Sequence, residues 1–420
     1  MRVCQTLVER VADMTTKVLT PDILIAGAGI AGAAIGAGLR NRGYSVVQVE
    51  ASNQPLDTAR GDHLGPRVVE TLASWNLLDV FFAAGAEKRL GAKWVADGEV
   101  IFTSRVDDLP VPHPYYIVLN HNLIATAPLD VSLNDPNYDY TLLRPANAKN
   151  YETGDEAHGG VTALHVATAD GQDFTIKPRM AIGCDGRTSR VRTACNFKIA
   201  KTYDYERPFA VLFGPRGELQ DPRNEITSYM SRNGGVSRIP RIQGQWKIGL
   251  AIDKADIGHW KAADQAERQR LLAERAPELA SMETEVAGFY PVIRREADHW
   301  VRGTTVLIGD ACHTVHPARG QGMNFGLRSA ARLFTFLPEP SEMANAKLVS
   351  TRLAEYEAAV KPLADQQLDF NHERGLIMDC AGPERMDTEI PEMRAIAADP
   401  DAHYRYRMTM AGYADQLDAP

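Results

Sequence analysis

Residues 309–326 read GDACHTVHPARGQGMNFG, a stretch that crowds Asp310, Cys312, His313 and His316 beside four glycines. Three chemistries could use it. A metal centre is a poor fit, because His313 and His316 are three apart and no further ligand follows at a zinc-like spacing. Cys312 as a nucleophile is also a poor fit, since it follows the apolar strand-like GTTVLIGD, where a thiol is packed away rather than activated. The third use explains more. Asp310 would end a buried strand and accept hydrogen bonds from sugar hydroxyls. Past Pro317 and Gly320, the segment QGMNFGLRSAARLF begins a helix whose free N–H groups could face a carbonyl or a developing anion. The stretch reads as a cradle for a bound ring, with no metal.

Two other constellations serve the same end. DILIAGAGIAGAAIGAGLRNRGYSVVQVE (22–50) reads as strand, glycine turn, helix from about Ile30 to Arg42 capped by Gly43, and second strand. Its Gly27, Gly29 and Gly32 form GxGxxG: the first allows the tight turn, the second lets backbone approach a pyrophosphate, the third lets helix and strand pack closely. Glu50 ends the second strand, where a carboxylate accepts from ribose hydroxyls and disfavours a 2′-phosphate, so the nucleotide is FAD or NAD. In IGCDGRTSRVR (182–192), Asp185–Gly186 ends another strand-like run and is followed by three arginines, suited to dinucleotide hydroxyls and phosphates.

These loops need a scaffold. With 420 residues, 44% of them hydrophobic and 24% charged, the chain is an ordinary globular protein large enough for more than one core. Forty-six Lys and Arg against 54 Asp and Glu leave a net charge of −8, with no general attraction for nucleic acid or anionic lipid. Five scattered cysteines suit a reducing compartment. No run approaches the roughly 20 apolar residues of a membrane span, and Glu9, Arg10 and Asp13 interrupt any secretory core. A cytoplasmic protein is expected, with Met1 and Met14 both open as its start, because the strand pattern begins near Asp22. PRVVETLASWNLLDVFFAAG (66–85) has helical spacing, residues 88–118 and 226–252 read as short strands, and Asp170–Gly171 marks a hairpin turn. Nucleotide-type segments therefore flank and interrupt antiparallel ones. The expected fold is α/β: a discontinuous Rossmann-type dinucleotide-binding domain (22–85, 119–200 and 296–336), an inserted antiparallel β-sheet substrate domain (86–118 and 201–295), a C-terminal helical region (337–420) and an N-terminal extension (1–21).

Taken in order, GxGxxG at Gly27–Gly32, the Asp185–Gly186 motif and the Gly309–Asp310 motif resemble the single-component FAD-dependent aromatic hydroxylases, the para-hydroxybenzoate hydroxylase family, over roughly 22–370. HTVHPARGQGMNFGLR and LAEYEAAVKP are similar to the ubiquinone-biosynthesis branch. The resemblance implies that Gly27, Gly29 and Gly32 hold the FAD pyrophosphate and Glu50 the adenosine ribose. It implies that Arg60 contacts FAD, that Asp185 serves FAD and passing NAD(P)H, and that Asp310 binds the ribityl chain. Pro317, Gly320, Gly322, Met323 and Asn324 would line the flavin ring. Asn120 or Asn122 stands in NHNLIATA where many members carry an arginine, a departure at one FAD contact.

The resemblance further implies a monooxygenase in which NADH or NADPH reduces FAD, O2 adds at flavin C4a, and the hydroperoxide hydroxylates a small phenolic, quinolone or quinone-precursor ring. The protein would be a monomer or homodimer. The substrate would lie against 226–252, with Tyr229 and Arg238 as the groups favouring a phenolate, and His121 and Tyr290 behind them. Alternatives on the same fold are a flavin-dependent halogenase, though no WxWxIP segment is present, a prenyl-chain reductase, and a non-catalytic flavin carrier.

Overall fold

The computed structural model describes residues 16–53, 61–154, 159–217 and 224–417. Its organising layer is a six-stranded sheet in the order Val301–Arg302, Thr305–Leu307, Met180–Gly183, Ile23–Ala26, Val46–Val49, Tyr140–Leu143. All neighbours are parallel except the Val301–Arg302 edge. The strands are short runs of Ile, Leu, Val and Ala because both faces are covered, and a doubly buried strand has no polar side to show. Register aligns the strand ends: Ala26 lies beside Val49 and Gly183, and Gly183 beside Leu307. Everything that follows Ala26, Val49, Gly183 and Leu307 therefore emerges along one carboxyl edge. The strands come from four separated parts of the sequence.

The Ile30–Gly38 helix, IAGAAIGAG, packs on this sheet through alanine and glycine, which allows close approach to Gln48. It stops at Gly38, short of the expected Arg42, and the chain turns over to Gly43 at φ +80°. The single helix expected over 66–85 is two, Pro66–Ser74 and Leu78–Ala83, broken where Asn76 adopts φ +56°. Strand structure is present ahead of Asp22: Lys17–Leu19 pairs in parallel with Asp173–Ile176, at the edge of a separate four-stranded sheet.

A seven-stranded sheet forms the second layer, in the order Glu285–Tyr290, Phe209–Pro215, Gln245–Ala251, Val236–Arg241, Ile226–Met230, Gly91–Ala96, Glu99–Arg105. It is antiparallel apart from the parallel pair of Ile226–Met230 with Gly91–Ala96. Its back packs Ile248, Leu250 and Trp246 under Trp260 and Leu272 of the helices Ile257–Ala262 and Gln265–Ala273. A short sheet, His63–Leu64, Tyr116–Val118, Glu87–Arg89, sits beside the junction of the two layers. Three helices, Ala346–Asp379, Gly382–Ala398 and Pro400–Ala411, close the chain. Met386 and Met393 of the second pack on Trp94, Phe102 and Met230 of the seven-stranded sheet.

Candidate active site

The carboxyl edge gathers the three motifs. Gly27 sits at φ +102°, and a Cβ there would lie 2.5 Å from the Cys184 carbonyl oxygen, so the glycine turn and the Asp185 turn touch through backbone. A Cβ on Gly32 would overlap the Gly27 carbonyl oxygen, as close helix–strand packing requires. Gly29 differs: φ is −69° and no protein atom lies within 4 Å of a Cβ built on it. The protein therefore leaves open the space in front of the first turn of the Ile30–Gly38 helix, where unpaired N–H groups and the helix dipole favour an anion. Glu50 folds back over this loop, accepting from the N–H of Ala28 and of Ser52, both at 2.7 Å. Asp185 accepts from the N–H of Arg190 (2.7 Å) and Val191 (3.1 Å), which caps the following helical turn, while its buried Oδ1 has no partner. The buried Arg192 guanidinium donates to the carbonyls of Ala311 (2.7 Å) and Arg187 (2.8 Å), tying the Asp185 and Asp310 loops together.

The 309–326 segment forms the wall opposite. Gly309 is left-handed at φ +66°, and Arg319 and Gly320 are consecutive left-handed residues at φ +63° and +64°. For Arg319 this conformation is strained and needs outside support. The Gly322–Phe334 helix then starts with its N-terminus at the cavity, where Asp310, Pro317, Gly320, Gly322 and Met323 all stand in the lining. Asn324 has a different place from the one expected: its Oδ1 accepts from Gly65 N–H at 2.7 Å and its Nδ2 donates to Gly320 O at 3.0 Å, so it pins the loop from behind. Asn122 belongs to the His121–Leu133 helix, and its buried Oδ1 has no partner. His121 lines the cavity and bonds Gly61 O at 3.0 Å. Arg60 lies outside the described residues.

The residues that opened the sequence question are explained by burial. His316 accepts from Ala318 N–H at 2.9 Å through Nδ1, and burial pushes its pKa down to about 3. Burial likewise lowers His313 to about 4 and raises the Cys312 thiol well above its ordinary range, so all three are neutral at physiological pH. Among the described residues no group of His, Cys, Asp and Glu is arranged to hold a metal ion.

From Gly29 and Asp310 a cavity of about 460 Å³ runs to the seven-stranded sheet, within the size of small-molecule sites. The pleat decides which sheet residues see it. Phe209 and Val211, Ile226 and Ser228, and Ser237 and Ile239 point in. Tyr229 and Arg238 therefore point out, and the expectation that they meet the substrate is corrected by the period of two. Tyr229 packs in the rear core, and Arg238 stacks over the Trp246 ring at 4.6 Å and reaches Thr227 at 3.3 Å. Tyr290, ranked behind them, does line the cavity. The far wall comes from the C-terminal helices, with Met378, Arg385, Glu389, Tyr406 and Met410.

Buried charges bind these walls together. Asp62, fully buried, pairs with Lys247 at 2.6 Å and Arg241 at 3.2 Å, joining the loop after the dinucleotide sheet to the seven-stranded sheet. Glu389 pairs with Arg385 at 2.8 Å and Arg319 at 3.6 Å. Burial works against its charge, but the two guanidiniums outweigh it and hold its pKa below the usual carboxylate range. Arg319 also lies over the Trp94 and Tyr406 rings and donates to the Tyr406 hydroxyl, which supplies the support its backbone needs. None of these groups except Arg319's loop stood out in the sequence.

A glycine cradle open only to a ligand, two buried carbonyl or carboxylate oxygens without partners, and a ring-sized space beyond them fit a flavin dinucleotide. The fold and site are those of an FAD-binding protein, and the chain belongs to the family described as FAD binding domain, whose model matches residues 20–371. A rifampicin monooxygenase of Rhodococcus hoagii is 25% identical over 390 residues, covering 89% of this chain and 74% of that protein. The ubiquinone hydroxylase UbiL of Rhodospirillum rubrum is 27% identical over 354 residues, 81% of this chain and 78% of its own. The p-nitrophenol 4-monooxygenase PnpA of Pseudomonas putida DLL-E4 shares the fold with a TM-score of 0.77 at 17% identity, covering 95% of this chain and 99% of its own. No described helix is long and apolar enough to cross a membrane.

Proposed function

We propose that the protein hydroxylates a small aromatic ring, using NAD(P)H and O2, with FAD along the carboxyl edge and the substrate against the inward face of the seven-stranded sheet. The observation that carries the reading is the Gly29 cradle opening into a cavity shared by the Asp310 loop and that sheet. In this reading Gly27, Gly29, Gly32 and the helix behind them receive the pyrophosphate. Glu50 meets the adenosine ribose and orders the glycine loop. Asp185 and Asp310 meet hydroxyls of the dinucleotide, and Pro317 to Met323 border the ring. The chemistry FAD supplies when bound is hydride uptake from NAD(P)H and activation of O2 at its C4a carbon.

The chain's own residues position and insulate. The N-terminus of Gly322–Phe334 favours negative charge on the ring edge it faces. Trp94, Phe209, Val211, Ile226 and Ile239 present an apolar wall that keeps water from the reacting centre. His63, buried beside Arg89 and Lys247, is held neutral by burial first and by those two cations second, so it offers the cavity an uncharged ring that resists protonation. The test is NAD(P)H consumption by FAD-loaded protein against a panel of phenols, quinolones and quinone precursors under 18O2, with mass spectrometry of the products. One labelled oxygen in the product is expected. Incorporation of halide, or product formed without O2, would overturn the reading.

A further inference from the structure

Arg89 enters the cavity from the short sheet. Its strand, Glu87–Arg89, pairs antiparallel with Tyr116–Val118 and sets Arg89 directly opposite Tyr116, so both side chains leave the same face. His63 joins them from the strand on the other side of Tyr116–Val118, and all three line the cavity. The guanidinium lies over the Tyr116 ring, 3.8 Å from its centroid, and Nη1 donates to Gly91 O at 2.7 Å. Its Nε is buried without a hydrogen-bond partner, and the residue is only 4% exposed. Burial lowers the pKa to about 10, which leaves it charged at neutral pH.

The contrast with its neighbours is what matters. Lys247 has Asp62, and Arg319 and Arg385 share Glu389. Among the described residues no carboxylate lies within ion-pair distance of Arg89. Glu225 acts on Arg89 only from beyond that distance and pairs with Arg105 at 3.8 Å, and a buried cation with no anion in contact is unfavourable unless something else supplies one. Among side chains, arginine is also the one whose planar fork matches a carboxylate.

We propose that Arg89 reads a carboxylate carried by the aromatic substrate. The inference rests on the function proposed above, since it assumes an aromatic ring in this cavity, and it narrows the substrate class to aromatic acids. The cation would fix one end of the ring against the short sheet while the apolar wall takes its faces.

The test uses FAD-loaded protein and pairs of probes that differ only in charge: salicylate and salicylamide, benzoate and benzamide, 2-naphthoate and 2-naphthamide. Binding is read from perturbation of the flavin absorbance. A charge-assisted contact at a buried site should favour the acid by about 10- to 100-fold in Kd. Arg89→Gln should bring the acid's affinity down to that of its amide and leave the amide's Kd in place, and Arg89→Lys should retain part of the preference. A purely structural role, holding the Tyr116 ring, would weaken acid and amide together and overturn the proposal. So would equal binding of acid and amide to the wild type, or failure of every acid to register on flavin-loaded protein. If Arg89→Gln does not load FAD, the wild-type preference and Arg89→Lys decide the matter. Neutral rings hydroxylated with no preference for acids would remove this inference and leave the proposed function standing; failure to bind FAD at all would remove both.

Discussion

Replacing Gly29 by alanine separates cofactor binding from folding. Its φ of −69° and ψ of −173° are open to any residue, and a Cβ there meets no protein atom within 4 Å. In the FAD-free protein Gly29→Ala should leave stability within about 0.5 kcal/mol, or raise it slightly through the lost freedom of the unfolded glycine. The added methyl occupies the space assigned to the pyrophosphate. Forcing one carbon into an otherwise close contact costs about 1–3 kcal/mol, or roughly 5- to 150-fold in FAD affinity. Gly32→Ala is the contrast, because its Cβ would strike the Gly27 carbonyl and destabilise the fold itself. The assays are FAD titration by quenching of flavin fluorescence and urea unfolding of the FAD-free forms. If Gly29→Ala binds FAD as the wild type does, the pyrophosphate does not cross this turn and the assignment of the cradle is wrong.

Glu389→Gln leaves two buried guanidiniums, Arg319 and Arg385, without their shared counter-charge, and urea denaturation should show a loss of about 3 kcal/mol, the scale for breaking a buried ion pair on one side. Stability should also fall with acid through the buried histidines His63, His313 and His316. Below pH 6.5 the unfolded chain takes up a proton that folded His313 refuses until about pH 4, so stability is lost as pH falls through that window, about 3 kcal/mol for this residue. His316 acts in the same direction down to about pH 3. Unfolding midpoints measured from pH 7 to 4 check the slope, and it should flatten in His313→Phe. On the seven-stranded sheet, Tyr229→Phe should leave the Kd of aromatic ligands unchanged, whereas Ser228→Phe, one residue away and facing the cavity, should weaken it at least about tenfold by filling the space. Flavin difference spectra read both, and equal effects would contradict the assigned pleat.

The dinucleotide half of the protein was legible because its constraints are local. A strand, three glycines at fixed spacing and an acid after the next strand leave Gly27, Gly29, Gly32 and Glu50 little choice of place, and short apolar runs marked Ile23–Ala26 and Thr305–Leu307 as buried strands. The substrate half was not legible in the same way. Alternation reveals a strand's faces only when one face is wet, and here both are covered: Gln245–Ala251 is buried along nearly its whole length. Nothing in SYMSRNGGVSR distinguished Tyr229 from Ser228. Arg89, Lys247 and Glu389 were hidden for another reason, because each has a neighbour that is distant in sequence: Tyr116 for Arg89, Asp62 for Lys247 and Arg319 for Glu389. Asn324 was placed in the right loop with the wrong task, since a polar residue beside a ring-binding turn serves equally well as a pin behind it.

The C-terminal helices that carry Arg385, Glu389, Tyr406 and Met410 lie past residue 371, where the family match ends, yet they complete the chamber and brace the Arg319 turn. In the proposed reading, part of what selects the molecule is thus written outside the stretch that carries the flavin cradle. Mutations in the tail can reshape what is accepted while the flavin machinery stays intact, and because that tail also steadies a strained loop, each new preference must preserve the brace or surrender the enzyme.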